Sequence, residues 1–336
     1  MPHSSACAAW RRSKALAEIP LTQIVTLTIS PAVDVSTSVK KMVPFTKMRC
    51  AQAHRDPGGG GINVARVLKR LGIAATAIYP AGGATGKLLA ALVEREGVRS
   101  MVIPTLNDTR EDITIFDETT REQFRLVFPG APLSDIEWQE CLASLARIKP
   151  QPAFVIASGS LPAGVPHDFF GKVAQASKGR SKVIVDTSGP FLKAALEAGV
   201  YLIKPNLHEF QDLAGIASSD EATLIEAGLR LIDRGQAEII ALSMGPDGAL
   251  LITRDAAMRA NGLPIEPVSV SGAGDSFLGA MVWSLVSSDS LEMALRYGVA
   301  GGSAALLNPG TELCRPEDVH RLASQVIVTP IARNKR

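Results

Sequence analysis

Asp275 closes a run of small residues, Gly272, Ala273 and Gly274, within the segment VSGAGDSFLG (Val270 to Gly279). Apolar periodicity starts directly after the aspartate, so the three small residues lie at a predicted helix N-terminus. Consecutive backbone N–H groups can face one point there, and the helix dipole adds partial positive charge, so an anion is favoured. Beside a bound phosphoryl group, a carboxylate in the same turn can take the proton of an attacking hydroxyl. The same residues also suit an aspartate that only caps its helix after a tight glycine turn. The rest of the chain has to separate the two.

Three other segments bear on that choice. PGGGGINVAR (Pro57 to Arg66) carries Gly59 and Gly60 directly into a helix-period segment. Glycines let a ligand approach the backbone closely, and Asn63 in the first turn can hydrogen-bond sugar hydroxyls. Asp34 follows a predicted strand and a Pro-Ala turn, where open α/β sheets place ligand groups, although a turn-stabilising aspartate fits equally. In KPNLHE (Lys204 to Glu209), Asn206 and Glu209 share one face of a helix start. They can orient hydrated Mg²⁺, or simply cap the helix.

Other chemistries lack a signal. Gly86-Lys87 is followed by Leu88 where a P-loop needs Ser or Thr, and no G-x-G-x-x-G is present. The five histidines show no H-x-x-x-H spacing, and no serine sits in G-x-S-x-G.

The elements that must carry these residues alternate between strand and helix. Ile24 to Ile29, Phe154 to Ser158, Lys182 to Asp186, Tyr201 to Asn206, Glu238 to Ser243 and Ala249 to Thr253 read as strands, mostly apolar throughout. That pattern fits strands covered on both faces. Val64, Val67, Leu68 and Leu71 repeat at helical spacing, as do Leu278, Met281, Val282 and Leu285. The expectation is a doubly wound, mostly parallel α/β sheet. Val35 to His54 and Asn107 to Phe128 break the rhythm and are predicted to leave the main sheet as a small β-strand lid, the second with a turn at Asp117 to Arg121.

Length and composition set the outer bounds. A chain of 336 residues with 46% apolar and 20% charged residues can bury a large core. Domains of about 100–200 residues suggest two units, or one large α/β unit with an appendage. We expect a main domain over 21–330, an extension over 1–20 and a tail over 331–336. The 35 basic and 33 acidic residues leave a net charge of +2, which offers no field for nucleic acid. Four cysteines lie tens of residues apart with no C-x-x-C pair, as in a reducing, cytoplasmic compartment. The charge-free stretches are broken by Pro and Gly short of the about 18 apolar residues that a membrane span needs, so no membrane association is expected.

Together the ordered segments GGGGINVARVLKRLG, KPN-x-x-E, SMGPDG and SVSGAGDSFLGAM resemble those of the ribokinase-like, PfkB-type sugar kinases, over about Ile24 to Val326. The likeness extends furthest toward the isozyme-2 type of 6-phosphofructokinase, through TLTISPAVD, AIYPAGGATG, ASGSLPAGV, VDTSG and LNPGTELC. Similar kinases for fructose 1-phosphate or tagatose 6-phosphate usually carry Lys in the glycine run, where Gly60 stands here.

The resemblance implies ATP-dependent phosphorylation of fructose 6-phosphate at its 1-hydroxyl, with Mg²⁺ accompanying ATP. Asp275 would be the base, and the N–H groups of Gly272, Ala273 and Gly274 the anion hole. Asp34, Gly59, Gly60, Asn63, Arg110 and Ser160 would hold the sugar phosphate. Lys47 and Arg49 would come from the lid, which in such homodimers can complete the neighbour's site. Lys204, Asn206, Ser243, Gly245 and Gly248 would line the nucleotide, with Glu209 near Mg²⁺ through water. A monovalent-cation loop, taking K⁺, would use Ser269, Ser271, Ala305, Asn308 and Gly310; Glu312 departs from the Arg found there in the isozyme.

A protein of net +2 needs local cations to hold a dianion, and arginine suits bidentate phosphate contact. The alternatives are a kinase for tagatose 6-phosphate or fructose 1-phosphate, and a non-catalytic sugar-phosphate or nucleotide sensor on the same fold.

Overall fold

The apolar runs become the middle of a ten-stranded sheet. A computed structural model describes residues 24–288 and 290–332; the extension expected over 1–20 lies outside them. The first half of the chain gives β1 (Ile24–Leu27), β2 (Ala32–Val39), β3 (His54–Gly58), α1 (Gly60–Arg70), β4 (Ala75–Ala81), α2 (Gly83–Arg95), β5 (Arg99–Pro104), β6 (Arg110–Asp117), β7 (Gln123–Leu126) and α3 (Asp135–Arg147). Then follow β8 (Phe154–Ser158), α4 (Phe169–Ser177), β9 (Lys182–Asp186), α5 (Gly189–Ala198), β10 (Val200–Ile203), α6 (Leu207–Ala214), α7 (Glu221–Asp233) and β11 (Ala237–Ser243). The last part holds β12 (Ala249–Thr253), β13 (Ala257–Ala260), α8 (Ala273–Ser288), α9 (Leu291–Ala305), α10 (Pro316–Ala323) and β14 (Val328–Ile331).

The main sheet runs β14-β13-β12-β11-β10-β9-β8-β1-β4-β5. Pairing is parallel from β5 to β11 and antiparallel from β11 to β14. Successive strand residues point to opposite faces, and each face has its own core. Ile24, Ile156, Ile184, Leu202 and Ile239 pack with α1, α8, α9 and α10. Val25, Val155, Val183, Ile203 and Ile240 pack with α3, α4, α5 and α7. This double coverage is why the strands read as apolar without alternation.

The expected lid is a separate four-stranded sheet of order β3-β2-β6-β7. It is mixed: β2 pairs antiparallel with β3 and parallel with β6, and β6 pairs antiparallel with β7. Its limits correct the expected ones. The first lid strand starts at Ala32, residues 40–53 carry no strand, and β3 runs on into the glycine segment. The Asp117–Arg121 turn forms between β6 and β7, with Arg121 at φ +65°. At the other end β14 reaches Ile331, one residue past the expected limit. No helix among the described residues is long and apolar enough to cross a membrane.

Candidate active site

The C-terminal ends of the parallel strands open on one edge of the sheet, where ligands bind in open α/β folds. Ser158, Gly159 and Ser160 leave β8, Asp186 closes β9, Lys204 follows β10 and Ser243 closes β11. The chain turns in opposite directions from the adjacent strands β1 and β8, and the N-terminus of α1 meets the β8 loop there. A Cβ on Gly60 would stand 2.1 Å from Ser158 Oγ, so the missing side chain lets the first turn of α1 close on the serine hydroxyl.

The helix start expected at residues 272–275 is present. Gly272 takes φ +72°, and its carbonyl accepts the Ser276 N–H at 2.9 Å, the first bond of the α8 ladder. The N–H groups between them have no helix partner and are free for an anion. Gly274 is exposed, and a Cβ there would lie 3.4 Å from Lys204 Nζ, so the lysine ammonium faces the same point.

Asp275 accepts a hydrogen bond from Asn63 Nδ2 at 2.9 Å. With Gly60, Ser160, Asp186 and Glu209 it lines a cleft of about 290 Å³. Burial, reinforced by the negative charge of Asp186, pushes its carboxyl up to about 7, against the Asn63 hydrogen bond and the Lys204 charge. A carboxylate with that affinity for protons is suited to general-base work near neutral pH.

Lys204 is buried and pairs with Asp186 at 3.2 Å; Ser158 Oγ donates to the other Asp186 oxygen at 3.4 Å. Burial disfavours the ammonium, but the carboxylates of Asp186, Asp275 and Glu209 together outweigh it and hold Lys204 above the usual lysine range. Sequence reasoning gave Asp186 no role; its signal was an acidic residue ending a buried strand at the ligand edge. Asp34 is also buried, and a Cβ on Gly58 would come 2.5 Å from its carboxylate. Burial pushes Asp34 up to about 6, partly offset by the charge of Arg125.

Arg110 is committed to its own lid, donating to Phe128 O at 2.7 Å, Asp112 Oδ1 at 3.1 Å and Ser30 O at 3.4 Å. Lys47 and Arg49 stand exposed on the 40–53 segment with no hydrogen bond or ion pair among the described residues. Gly59, at φ +112°, caps α1.

On the nucleotide side, the capping alternative for Asn206 and Glu209 is realised: Asn206 Oδ1 accepts the Glu209 N–H and Glu209 Oε2 accepts the Asn206 N–H, each at 2.9 Å. Glu209 nonetheless lines the cleft. Ser243 lies beside Asn206 in a short parallel bridge, and Gly245 opens an exposed turn. Gly248 is buried at φ +89°, with Ala260 O 2.3 Å from where a Cβ would be, so the β11–β12 connection requires glycine there.

The expected cation residues share one buried loop region. Ser269 Oγ donates to Gly310 O at 3.0 Å and accepts the Ser271 N–H at 3.2 Å. Ala305 O accepts the Asn308 N–H at 3.1 Å, and Asn308 Nδ2 donates to Leu313 O at 3.0 Å. The donor set is carbonyl and hydroxyl oxygen without a carboxylate, which suits a monovalent cation. Glu312 turns its carboxylate to Arg315 at 3.0 Å.

A helix start with free N–H groups, a buried aspartate beside it and a small lid sheet next to a mostly parallel α/β sheet are the features of a ribokinase-like kinase fold. Residues 24–318 match the pfkB family of carbohydrate kinases, and the chain belongs to that family. It is 44% identical over 300 residues to the ATP-dependent 6-phosphofructokinase isozyme 2 of Mycobacterium tuberculosis, covering 89% of this chain and 88% of that one. The Escherichia coli K12 protein of the same name is 38% identical over 304 residues, covering 90% and 98%. Crystal structures of Escherichia coli phosphofructokinase-2 match 90% of this chain and 99% of theirs. The complex with potassium gives a TM-score of 0.86 at 37% identity, and the complex with fructose-6-phosphate 0.85 at 36%. The tetrameric inhibited form gives 0.85 at 36%.

Proposed function

We propose that this chain transfers the terminal phosphoryl group of ATP to the 1-hydroxyl of fructose 6-phosphate, giving ADP and fructose 1,6-bisphosphate. The observation that carries the reading is Asp275, held by Asn63 beside the open N-terminus of α8. Its carboxylate takes the proton of the 1-hydroxyl as oxygen attacks phosphorus. The N–H groups of residues 272–274 and the Lys204 ammonium receive the charge on the migrating group, the dominant contribution in phosphoryl transfer.

Asp34, Asn63, Gly59 and Gly60 hold the sugar hydroxyls, with Ser160 at the rim. Arg110 binds the 6-phosphate after exchanging its lid carbonyls for phosphate oxygens. Ser243 and Gly245 border the nucleotide.

Among the described residues no three His, Cys, Asp or Glu side chains cluster closely enough to hold a metal. This suits Mg²⁺ that arrives on the ATP phosphates and keeps its water, with Glu209 and Asp186 offering outer oxygens. Potassium fits the carbonyl loop, and the potassium complex of the Escherichia coli relative supports that choice. The lid carries exposed Phe45, Phe124, Leu126, Val127 and Phe128, an apolar face suited to a second copy of this chain. Free thiols at Cys50, Cys141 and Cys314 accord with a reducing cytoplasm.

Competing fructose 6-phosphate, fructose 1-phosphate and tagatose 6-phosphate in one ADP-release assay tests the reading. The highest kcat/KM is expected for fructose 6-phosphate. A higher value for either rival sugar moves the assignment to that kinase, and no sugar-dependent ADP release leaves a sensor.

A further inference from the structure

Arg66 lies one turn after Asn63 on α1 and is fully buried, though neither the anion hole nor the sugar contacts use it. Its Nη1 donates to Asn63 Oδ1 at 3.1 Å, Pro57 O at 3.0 Å and Thr311 O at 3.5 Å. Its Nη2 meets Asp56 Oδ1 at 3.3 Å and Glu96 Oε1 at 3.1 Å. Both carboxylates have further partners: Asp56 accepts from Thr311 Oγ1 at 3.0 Å and faces His54 at 3.3 Å, and Glu96 pairs with Arg70 at 3.2 Å. The guanidinium is therefore clamped from β3, the end of α2 and the loop before α10.

A guanidinium only donates hydrogen bonds and an ionised carboxylate only accepts them. An amide between the two can satisfy both in one orientation, with oxygen toward Arg66 and nitrogen toward Asp275. The reversed amide would set donor against donor and acceptor against acceptor. We propose that Arg66 is a positioning residue that locks the Asn63 amide and so aims the Asp275 carboxylate at the acceptor hydroxyl. The fixed end of this relay is the ring of partners around the arginine, and the working end is the base. Besides Asn63, the charges of Asp186, Lys204 and Asp34 act on that base.

The inference rests on the proposed kinase reading, and its test separates the two. Kinetics of Arg66→Lys, Asn63→Ala and the double variant form a cycle, with folding of each checked by circular dichroism. Arg66→Gln, which keeps one donor for Asn63 Oδ1, carries the same cycle should the lysine variant not fold. Arg66→Lys is expected to lower kcat about 10–100-fold through misplacement of the base, with KM for ATP unchanged. The same change should cost little more once Asn63 is alanine, since residues acting through one contact are not additive.

Carbon-13 NMR of labelled aspartate carboxyls, assigned with Asp275→Asn, should show Asp275 titrating at higher pH in the Arg66 variant. Equal losses in both Asn63 backgrounds, or an unmoved Asp275 titration, would overturn the relay. Wild-type protein that releases no ADP with fructose 6-phosphate would remove the kinase reading, while the titration still decides the role of Arg66.

Discussion

Asn63 and Asp275 lie 212 positions apart and meet through a 2.9 Å hydrogen bond. The contact joins the first turns of α1 and α8, so the two glycine segments of the sequence form one site. An amide donor on a carboxylate stabilises its ionised form, and burial opposes it. The balance leaves a carboxyl that is about half ionised at neutral pH and so exchanges its proton readily there. Asp275→Asn should therefore lose roughly 10²–10⁴-fold in turnover, the span typical of removing a general base. Steady-state kinetics with sugar affinity measured separately would check it; near-normal turnover would reject Asp275 as the base.

The same aspartate makes stability depend on pH. Its native carboxyl titrates at about 7 against an ordinary 3.8, so between those values the native state holds a proton that the unfolded chain has lost. Stability is then greatest below the unfolded value and falls as pH rises through the native one. Asp275→Asn carries no such penalty. Its melting temperature, compared with wild type without ligand, should show a gain at pH 8 that shrinks toward pH 5. A difference that stays constant over that range would mean that Asp275 is not titrating near neutrality. The catalytic counterpart is a fall in kcat/KM as pH drops through about 7, with Asp34 adding to the acid limb near 6.

Contact between α1 and α8 depends on Gly279. A Cβ there would stand 2.6 Å from Val67 Cγ1 and 3.4 Å from Val64 O, so any larger residue pushes the helices apart. Gly279→Ala is expected to cost about 1–3 kcal/mol, the usual range for overpacking a core. It should also lower kcat by moving Asp275 away from Asn63. Val67 Cβ lies 2.7 Å from the same point, so adding Val67→Gly, which removes both atoms, should recover part of the kcat loss and cost less stability than the two single changes summed. Denaturant unfolding and kinetics on the two single variants and the double variant provide the check, and strictly additive effects would refute the steric account.

The parts of the fold most legible in the sequence were those with one dominant local cause. Phe154–Ser158, Lys182–Asp186 and Ala249–Thr253 have the expected limits because each is a continuous apolar run ending at a polar or acidic residue. Ala75–Ala81 was missed although it is buried throughout, since its alanines and Pro80 give no strand signal of their own. Val328–Ile331 is held by pairing with β13, which no local pattern announces. In the site, the glycines of α1 and α8 were readable because close backbone approach excludes other residues. Asp186 and Arg66 were not, because their contacts are with Lys204 and Glu96, partners that no local pattern announces. Gly248 adds a demand that its motif did not reveal: the turn between β11 and β12 needs φ +89° and leaves no room for a Cβ.

Lys47 and Arg49 raise the question of whose site they serve. They are exposed on a lid segment and unpaired among the described residues, next to Phe45, which is fully exposed. The apolar face of β7 lies on the same small sheet, with Phe124 and Leu126 open to solvent. If two copies join through these faces, each lid can bring its cations to the other's cleft. Leu126→Asp would then yield monomers by sedimentation and raise KM for the sugar phosphate more than for ATP. A mixing experiment is sharper. Asp275→Asn keeps an intact lid, and Lys47→Ala/Arg49→Ala keeps an intact base, so each alone is weak. In a hybrid dimer the intact lid of the first covers the intact base of the second, and activity should reappear after the two are unfolded and refolded together. If each lid serves its own cleft, the hybrid contains no complete site. Activity of the mixture would then stay at the sum of its parts.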